Sequence, residues 1–172
     1  MDIGIFDSLQ FGESMDPEQK RKSLRNLTYG VYVLTAKSET AYAAATVTWV
    51  SQSSLDPPQI MVGLRRGSKT AELVKKSEKF VLNILAESQK QIASVFLKHA
   101  VVNGDTINGY PFHVGETDAP ILKDALSFIE CKIDEIIEGT DHDVVIARVI
   151  NAGIQSEGSP LVLRSTGWSY GG

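Results

Sequence analysis

Alternating runs of β-branched and aromatic residues dominate this sequence and constrain its fold more than any other feature. The two longest runs span 127–137 and 144–154, and Glu138-Gly139-Thr140-Asp141-His142 forms a turn between them. Shorter runs occupy 30–35, 42–50, 59–64, 80–85 and 161–164. A period of two is typical of β-strands, because successive side chains point to opposite faces of a sheet. The sequence therefore predicts about seven strands.

Helical signals are confined to short segments. They predict helices over 17–27 and 87–99, and a third over Lys69–Ser77 that Ser68 can cap. Residues 100–120 are rich in glycine and proline and predict an irregular excursion of the kind that often borders a site. Strands and helices alternate too irregularly for a doubly wound parallel sheet. The predicted fold is a mainly β barrel with two or three short helices.

Length and composition limit the possible classes of function. A chain of 172 residues predicts one domain, over 16–172, preceded by a loose lead-in over 1–15. With 17 basic and 21 acidic residues, the formal net charge of −4 argues against nucleic acid as the main partner. No apolar run is long enough to span a membrane and no secretory signal is evident, so no membrane partner is expected. The single cysteine, Cys131, is expected to be buried and inert, and it favours a cytoplasmic location.

Several familiar site motifs are missing. Neither glycine-rich nucleotide motif occurs, nor does the Gly-x-Ser-x-Gly motif of hydrolases. The three histidines, His99, His113 and His142, are widely spaced, so the sequence predicts no local metal site.

A hydroxyl-rich segment is the strongest local signal of a binding site. Five serine and threonine residues lie between Thr46 and Ser54, and Arg65-Arg66-Gly67-Ser68 precedes a predicted helix. Hydroxyl groups, a guanidinium and the amides of a helix N-terminus are the groups that bind phosphate. A solvated arginine loop with Ser68 as a plain helix cap also explains the second segment. Spacing alone favours this simpler interpretation.

Three other side chains have two interpretations each. Trp49 is either a core residue or a flat surface beside an aromatic ligand, and the core is favoured for a strand tryptophan. His142 is either a turn residue that satisfies local backbone groups or a proton carrier near neutral pH. Lys98 is either a solvated helix end or a cation directed at a ligand.

Taken in order, these segments resemble the flavin reductase-like, FMN-binding split-barrel family. The resemblance rests on Ala-Ala-Thr-Val-Thr-Trp-Val-Ser-Gln-Ser-Ser-Leu-Asp-Pro-Pro at 44–58, Phe-Val-Leu-Asn-Ile-Leu-Ala-Glu at 80–87, Phe-Leu-Lys at 96–98, Ile-Glu-Cys-Lys at 129–132 and Gly-Thr-Asp-His at 139–142. It covers about residues 17–170. The sequences of these segments are most similar to the flavin reductase module of cyanobacterial diflavin flavoproteins and to flavoredoxin-type proteins.

The resemblance implies a six-stranded Greek-key barrel, a homodimer and one FMN per subunit. Reducing equivalents would pass from NADH or NADPH through flavin to a flavin, ferric or protein acceptor. The isoalloxazine and ribityl chain would be held by Thr46, Thr48, Trp49, Val50, Ser51 and Gln52, and the phosphate by Arg65, Ser68 and Thr70. His142 and Lys98 would approach the ring or the nicotinamide as catalytic residues, and Trp168 or Tyr170 would cover the flavin. The family's usual turn reads Gly-Asp-His, and this chain carries one further residue, Thr140.

Two other classes of function remain open at this point. One is an FMN-binding electron carrier without pyridine-nucleotide turnover of its own, which assays of NADH and NADPH consumption would separate from a reductase. The other is a barrel whose flavin site has been lost and that serves in dimerisation or haem sensing. The intact hydroxyl-rich segment argues against this class. Oxidation of pyridoxine phosphate, a related barrel chemistry, fits the motifs less well.

Overall fold

The computed structural model of the chain describes residues 15–172, so the predicted lead-in falls almost wholly outside the described residues. The described residues divide into two units, 15–27 with 170–172 and 28–169. In the first unit, α1 (Pro17–Leu24) begins at Asp16, whose side chain accepts a 2.9 Å hydrogen bond from the backbone N–H of Glu18. This helix ends three residues earlier than predicted.

The second unit is mainly β, as predicted, with antiparallel strands and short helices. Its strands are β1 (Tyr32–Lys37), β2 (Tyr42–Val47), β3 (Val50–Leu55), β4 (Pro58–Arg65), β5 (Lys79–Ile84), β6 (Val102–Asn103), β7 (Thr106–Ile107), β8 (Tyr110–Val114), β9 (Pro120–Leu122), β10 (Ser127–Ile137) and β11 (His142–Ile154). Its helices are α2 (Lys69–Ser77), a 3-10 turn (Glu87–Gln89) followed by α3 (Lys90–Val95), and α4 (Leu163–Thr166). No helix among the described residues is long and apolar enough to cross a membrane.

One large antiparallel sheet has the strand order β2-β1-β5-β10-β11-β4-β3. Its two outermost strands, β2 and β3, are consecutive in the chain and are joined only by Thr48 and Trp49. Two residues can span only about 10 Å between strand ends, so the sheet must curl until its edges approach each other. The result is a split barrel of seven strands, one more than the resemblance implied.

The interior of the barrel is apolar. It contains the inward side chains of six strands, among them Leu34, Val62, Phe80, Leu82 and Val145. Helix α2 packs Ala71 and Val74 into the same cluster and so closes the end of the barrel where β4 finishes. A second core, on the outside of the barrel, lies beneath α3, α4 and a small four-stranded sheet of the order β6-β7-β8-β9.

Some elements differ from the predicted ones. The strand predicted over 42–50 stops at Val47, and the chain turns into a separate strand, β3, that the sequence did not indicate. The predicted helix over 87–99 is shorter, and the irregular excursion contains β6–β8, with β9 beginning at its last residue. The strand predicted over 161–164 is wrong, because that segment makes only isolated β-bridges at Pro160 and Val162 before helix α4 begins.

Candidate functional site

Trp49 and His142 meet at the end of the barrel that α2 closes. Their ring centroids are 4.4 Å apart, with the rings inclined by 47°. Trp49 sits there because β2 breaks after Val47, and because Gly63 on β4 lets the indole approach its backbone. A Cβ atom at Gly63 would lie 3.1–3.2 Å from Trp49 atoms. Two of the predicted site residues, Trp49 and His142, are thus brought into one cluster.

The predicted phosphate groups begin at the same place. In the antiparallel pairing of β4 with β11, Arg65 lies directly opposite His142. The exposed Arg65 is followed after two residues by Ser68, whose Oγ accepts a 3.1 Å hydrogen bond from the backbone N–H of Ala71 and caps α2. A guanidinium and a capped helix N-terminus therefore lie next to the aromatic pair.

Three threonines of the predicted site behave differently from one another. Thr46 donates its hydroxyl to the carbonyl oxygen of Ala93 at 2.6 Å, and Thr70 donates to that of Ala44 at 3.5 Å, so both hydroxyls connect elements of the fold. Thr48 is 8% exposed, and its Oγ1 has no hydrogen-bond partner within the described part of the chain. A buried hydroxyl without a partner is costly, so Thr48 is the threonine best suited to bind a ligand.

A groove opens at the other end of the barrel and is called here the barrel-mouth groove. Its volume is about 310 Å³, and the polar edge strand β3 borders it with Val50, Ser51 and Gln52. The opposite wall is apolar and consists of Tyr32, Leu82, Ile84, Ile129 and Val149. The space beside the hydroxyl-rich segment is therefore open rather than filled by side chains.

The remaining predicted residues lie elsewhere. Lys98 is exposed just beyond α3. The carbonyl oxygen of Phe96, the residue after α3, accepts a hydrogen bond from the backbone N–H of Thr46. Trp168 packs on the outer core, with Lys90 Nζ 5.5 Å from its ring centroid. Tyr170 belongs to the other unit and is 45% exposed. Lys98 and Trp168 therefore lie at the α3 side of this unit, with Trp168 on the outer core.

The turn before β11 holds His142 from one side. His142 Nδ1 lies 3.1 Å from the Oδ1 atom of Asp141, and this hydrogen bond lowers the pKa of Asp141 below its ordinary value. Gly139 is required in this turn because a Cβ atom there would lie only 2.0 Å from the carbonyl oxygen of His142. The imidazole is therefore held between a carboxylate and an indole.

Asp143, which follows His142, is a site residue that the sequence did not indicate. Its carboxylate is fully buried and lies 2.7 Å from Lys75 Nζ. That ammonium is the main reason why the pKa of Asp143 lies below its ordinary value. The Gly139 N–H and the Arg66 guanidinium add to the effect and together they outweigh burial. A buried aspartate beside a turn histidine has no local sequence signature, since its cationic partners come from distant segments.

Cys131 is buried, as expected. Burial, with a further contribution from the neighbouring Glu130 carboxylate, raises the pKa of its thiol to about 12. Such a thiol is neither a nucleophile nor a metal ligand at neutral pH. Within residues 15–172, no three histidine, cysteine, aspartate or glutamate side chains are grouped so as to hold a metal ion.

Comparison with known proteins decides the family. The flavin reductase like domain matches residues 24–169. This chain belongs to that family. Its relatives include an NADPH-flavin oxidoreductase of Streptomyces viridifaciens, 34% identical over 88% of this chain and 81% of the relative. The solved structure of the styrene monooxygenase flavin reductase from Pseudomonas putida S12 is also similar, with a TM-score of 0.71, 30% identity and coverage of 84% and 91% of the two chains.

Other relatives are much longer proteins. The chain is 32% identical to diflavin flavoprotein A 1 of Synechocystis over 87% of its own length, but it spans only 26% of that protein. Across the diflavin flavoproteins it matches, it covers about a quarter of their length.

The residues present are chemically compatible with a phosphorylated aromatic cofactor. The cluster at the α2 end combines an unpartnered buried hydroxyl, an aromatic pair, a guanidinium and a helix N-terminus. The hydroxyl suits a polar atom of such a ligand, and the aromatic pair suits its ring. The guanidinium and the helix N-terminus suit its phosphate. This donor set favours a phosphorylated aromatic ligand at the α2 end of the barrel.

Proposed function

We propose that the protein is an NAD(P)H:flavin oxidoreductase that binds FMN. The observation that carries the proposal is the juxtaposition of Trp49 and His142 with Arg65 and the Ser68 cap at one end of the barrel. Relatives named NADPH-flavin oxidoreductase and NADH-dependent flavin reductase support it. A bound flavin would supply the two-electron chemistry, accepting a hydride from NADH or NADPH and passing the electrons to an acceptor.

The chain's own residues would bind and orient the reactants. Arg65 and the first amides of α2 would hold the phosphate, and Thr48 Oγ1 would donate to a polar atom of the ligand. The indole of Trp49 would limit the position of the ring system. Holding two reactants in one geometry is itself a large contribution to the rate, and the cluster supplies it without a nucleophile.

His142 would contribute electrostatically. Its imidazole is 14% exposed and is held by Asp141 and Trp49, so it can present a donor to a ring that gains negative charge. Thr46 and Thr70, whose hydroxyls connect elements of the fold, would support the site from behind rather than bind through those groups. Lys98 and Trp168 would reach the ligand only from a second subunit or after movement of their segments.

We also propose a homodimer as the working form, located in the cytoplasm. The outer faces of β4 and β11 expose Met61 and Ile150, which are 41% and 40% accessible, and Ile146 lies opposite Met61 in the pairing. Met61 and Ile146 form an adjacent apolar pair on this outer face, which would favour contact with a second copy. The acceptor is a flavin, a ferric complex or a redox protein. The longer diflavin relatives favour the last of these.

Two measurements test the activity. Titration of the purified protein with FMN should quench flavin fluorescence with a stoichiometry of one per chain. Oxidation of NADH or NADPH should then depend on added FMN. A protein that binds FMN but oxidises neither nucleotide would be an electron carrier, and one that does not bind FMN would contradict the proposal altogether.

A further inference from the structure

Asp143 connects three segments that surround the proposed site. Its buried carboxylate is 2.7 Å from Lys75 Nζ on α2 and 3.5 Å from Arg66 Nε in the loop after β4, and it accepts a 3.2 Å hydrogen bond from the backbone N–H of Gly139. The next residue towards the N-terminus is His142, whose side chain points the other way, towards Trp49. One carboxylate thus joins a helix, a loop and a turn.

Arg66 reinforces the same connection. Its Nη1 atom donates to the carbonyl oxygen of Gly139 at 2.5 Å, and its backbone N–H donates to that of Asp141 at 2.9 Å. The loop that presents Arg65 and Ser68 is therefore attached to the turn that presents His142 at several points. Neither segment can move by much without breaking a contact to Asp143 or Arg66.

Because it is buried, the Asp143 carboxylate depends on its cationic partners for stabilisation. Asp143 has no exposed side-chain surface, whereas the side chains of Lys75 and Arg66 are 38% and 42% exposed. If the carboxylate is neutralised, both cations can return to water, and the turn loses its attachment to α2. If Lys75 is neutralised instead, the charge stays buried with weaker compensation. The connection of the turn to α2 therefore depends on the Asp143–Lys75 ion pair.

We propose that Asp143 is a positioning residue that holds His142 and the Arg65–Ser68 loop in one productive arrangement. This inference rests on the proposed function, in which those two segments hold the ring and the phosphate of FMN. It assigns no contact between Asp143 and the ligand. Its effect on turnover would pass through His142, and its effect on affinity would pass through the phosphate loop.

The test compares Asp143→Asn with Asp134→Asn. Asp134 is a matched control because it also accepts a charged hydrogen bond, at 2.8 Å from Arg148 Nη2, but lies on the barrel away from the turn. Asp143→Asn should slow reduction of bound FMN by NADH or NADPH about tenfold or more in anaerobic stopped flow, and weaken FMN binding several-fold. Asp134→Asn should change both quantities less than about twofold.

A double variant separates positioning from general damage. If Asp143 acts through His142, then adding Asp143→Asn to His142→Ala should slow hydride transfer little beyond His142→Ala alone, because the same contribution is already lost. Full multiplication of the two effects would overturn the inference. So would a folded Asp143→Asn protein that keeps the parent reduction rate and FMN affinity.

Two further outcomes concern the variants themselves. If His142→Ala leaves the reduction rate unchanged, the proposed role of His142 fails, whatever Asp143 does. If Asp143→Asn does not fold, Lys75→Gln and Lys75→Arg replace it. The glutamine variant should then lose rate and the arginine variant should retain it, whereas equal rates in both would overturn the inference.

Discussion

At the scale of single residues, Glu130 shows how a buried charge is made tolerable. Its carboxylate accepts hydrogen bonds from the backbone N–H and the hydroxyl of Thr117 and from the amide of Asn151, at 2.7–2.9 Å. Burial acts to raise the pKa of Glu130, but these bonds outweigh it, so the pKa lies below the ordinary value of 4.5. The ionised carboxylate therefore holds residues 115–119 against β10.

We predict that Glu130→Gln lowers the free energy of unfolding by about 1–3 kcal/mol at neutral pH, because charged hydrogen bonds are lost. A carboxylate with a lowered pKa stabilises the fold above pH 4.5, and this contribution disappears as the pH falls from there through the pKa of the folded state. Urea denaturation over a pH series should show the gap between variant and parent closing in acid. A gap that stays constant would contradict this assignment.

Some residues of the candidate site can be proposed from the sequence and others cannot, for a simple reason. Trp49, His142 and Ser68 were recognisable because tryptophan, a turn histidine and a serine before a helix have local signatures. Asp143 and Lys75 are 68 residues apart and become partners only in the folded barrel. The hydroxyl of Thr46 looked like a ligand group, but its acceptor, Ala93, is on a distant helix.

At the scale of elements, α2 carries the clearest prediction. Ser68→Ala removes the N-cap and should lower the free energy of unfolding by about 1 kcal/mol. It should also weaken FMN binding, since the proposed phosphate site is at that end. Ser77→Ala is the matched control, because it removes hydrogen bonds to Val74 and Lys79 at the other end of the same helix. Equal FMN affinities in the two variants, measured by fluorescence titration, would argue against the phosphate site.

Asn83 on β5 connects the barrel to β9. It is fully buried, accepts the backbone N–H of Leu122 at 2.8 Å and donates to the carbonyl oxygen of Val33 at 3.1 Å. Asn83→Ala should therefore cost about 2–3 kcal/mol and increase hydrogen exchange at the Leu122 amide. The amide of Leu161, which bonds to Leu85 instead, provides the internal reference. Unchanged protection at Leu122 would contradict the role of Asn83.

Elements were predictable where local chemistry and tertiary packing agree. The bounds of α2 and β10 follow from a serine cap and from a long alternating run, and the structure has both as predicted. Strand β3 was missed because most of its side chains are exposed and polar, so no alternation marks it. Residues 161–164 are apolar enough for a strand, yet Leu161 and Leu163 fill the outer core at the entry to a short helix.

At the scale of the whole molecule, the apolar Met61–Ile146 pair on the outer face of β4 and β11 predicts self-association. Met61→Lys should shift the mass measured by sedimentation or light scattering from dimer towards monomer, because a charge would be buried in the contact. Val101→Lys is the control, because Val101 is also an exposed apolar residue, at 66% exposure, but lies outside β4 and β11. This substitution should leave the mass unchanged. A parent protein that is monomeric at micromolar concentration would contradict the proposed dimer.

We predict that the α2 end of the barrel holds FMN where NADH or NADPH can reduce it. The most direct test is to mix FMN-loaded protein anaerobically with each nucleotide and to follow the oxidised flavin absorbance. We expect the absorbance to bleach in a single turnover, much faster than that of free FMN, and Trp49→Ala and His142→Ala to slow the bleaching. Bleaching no faster than in free solution, or unaffected by both substitutions, would contradict the account.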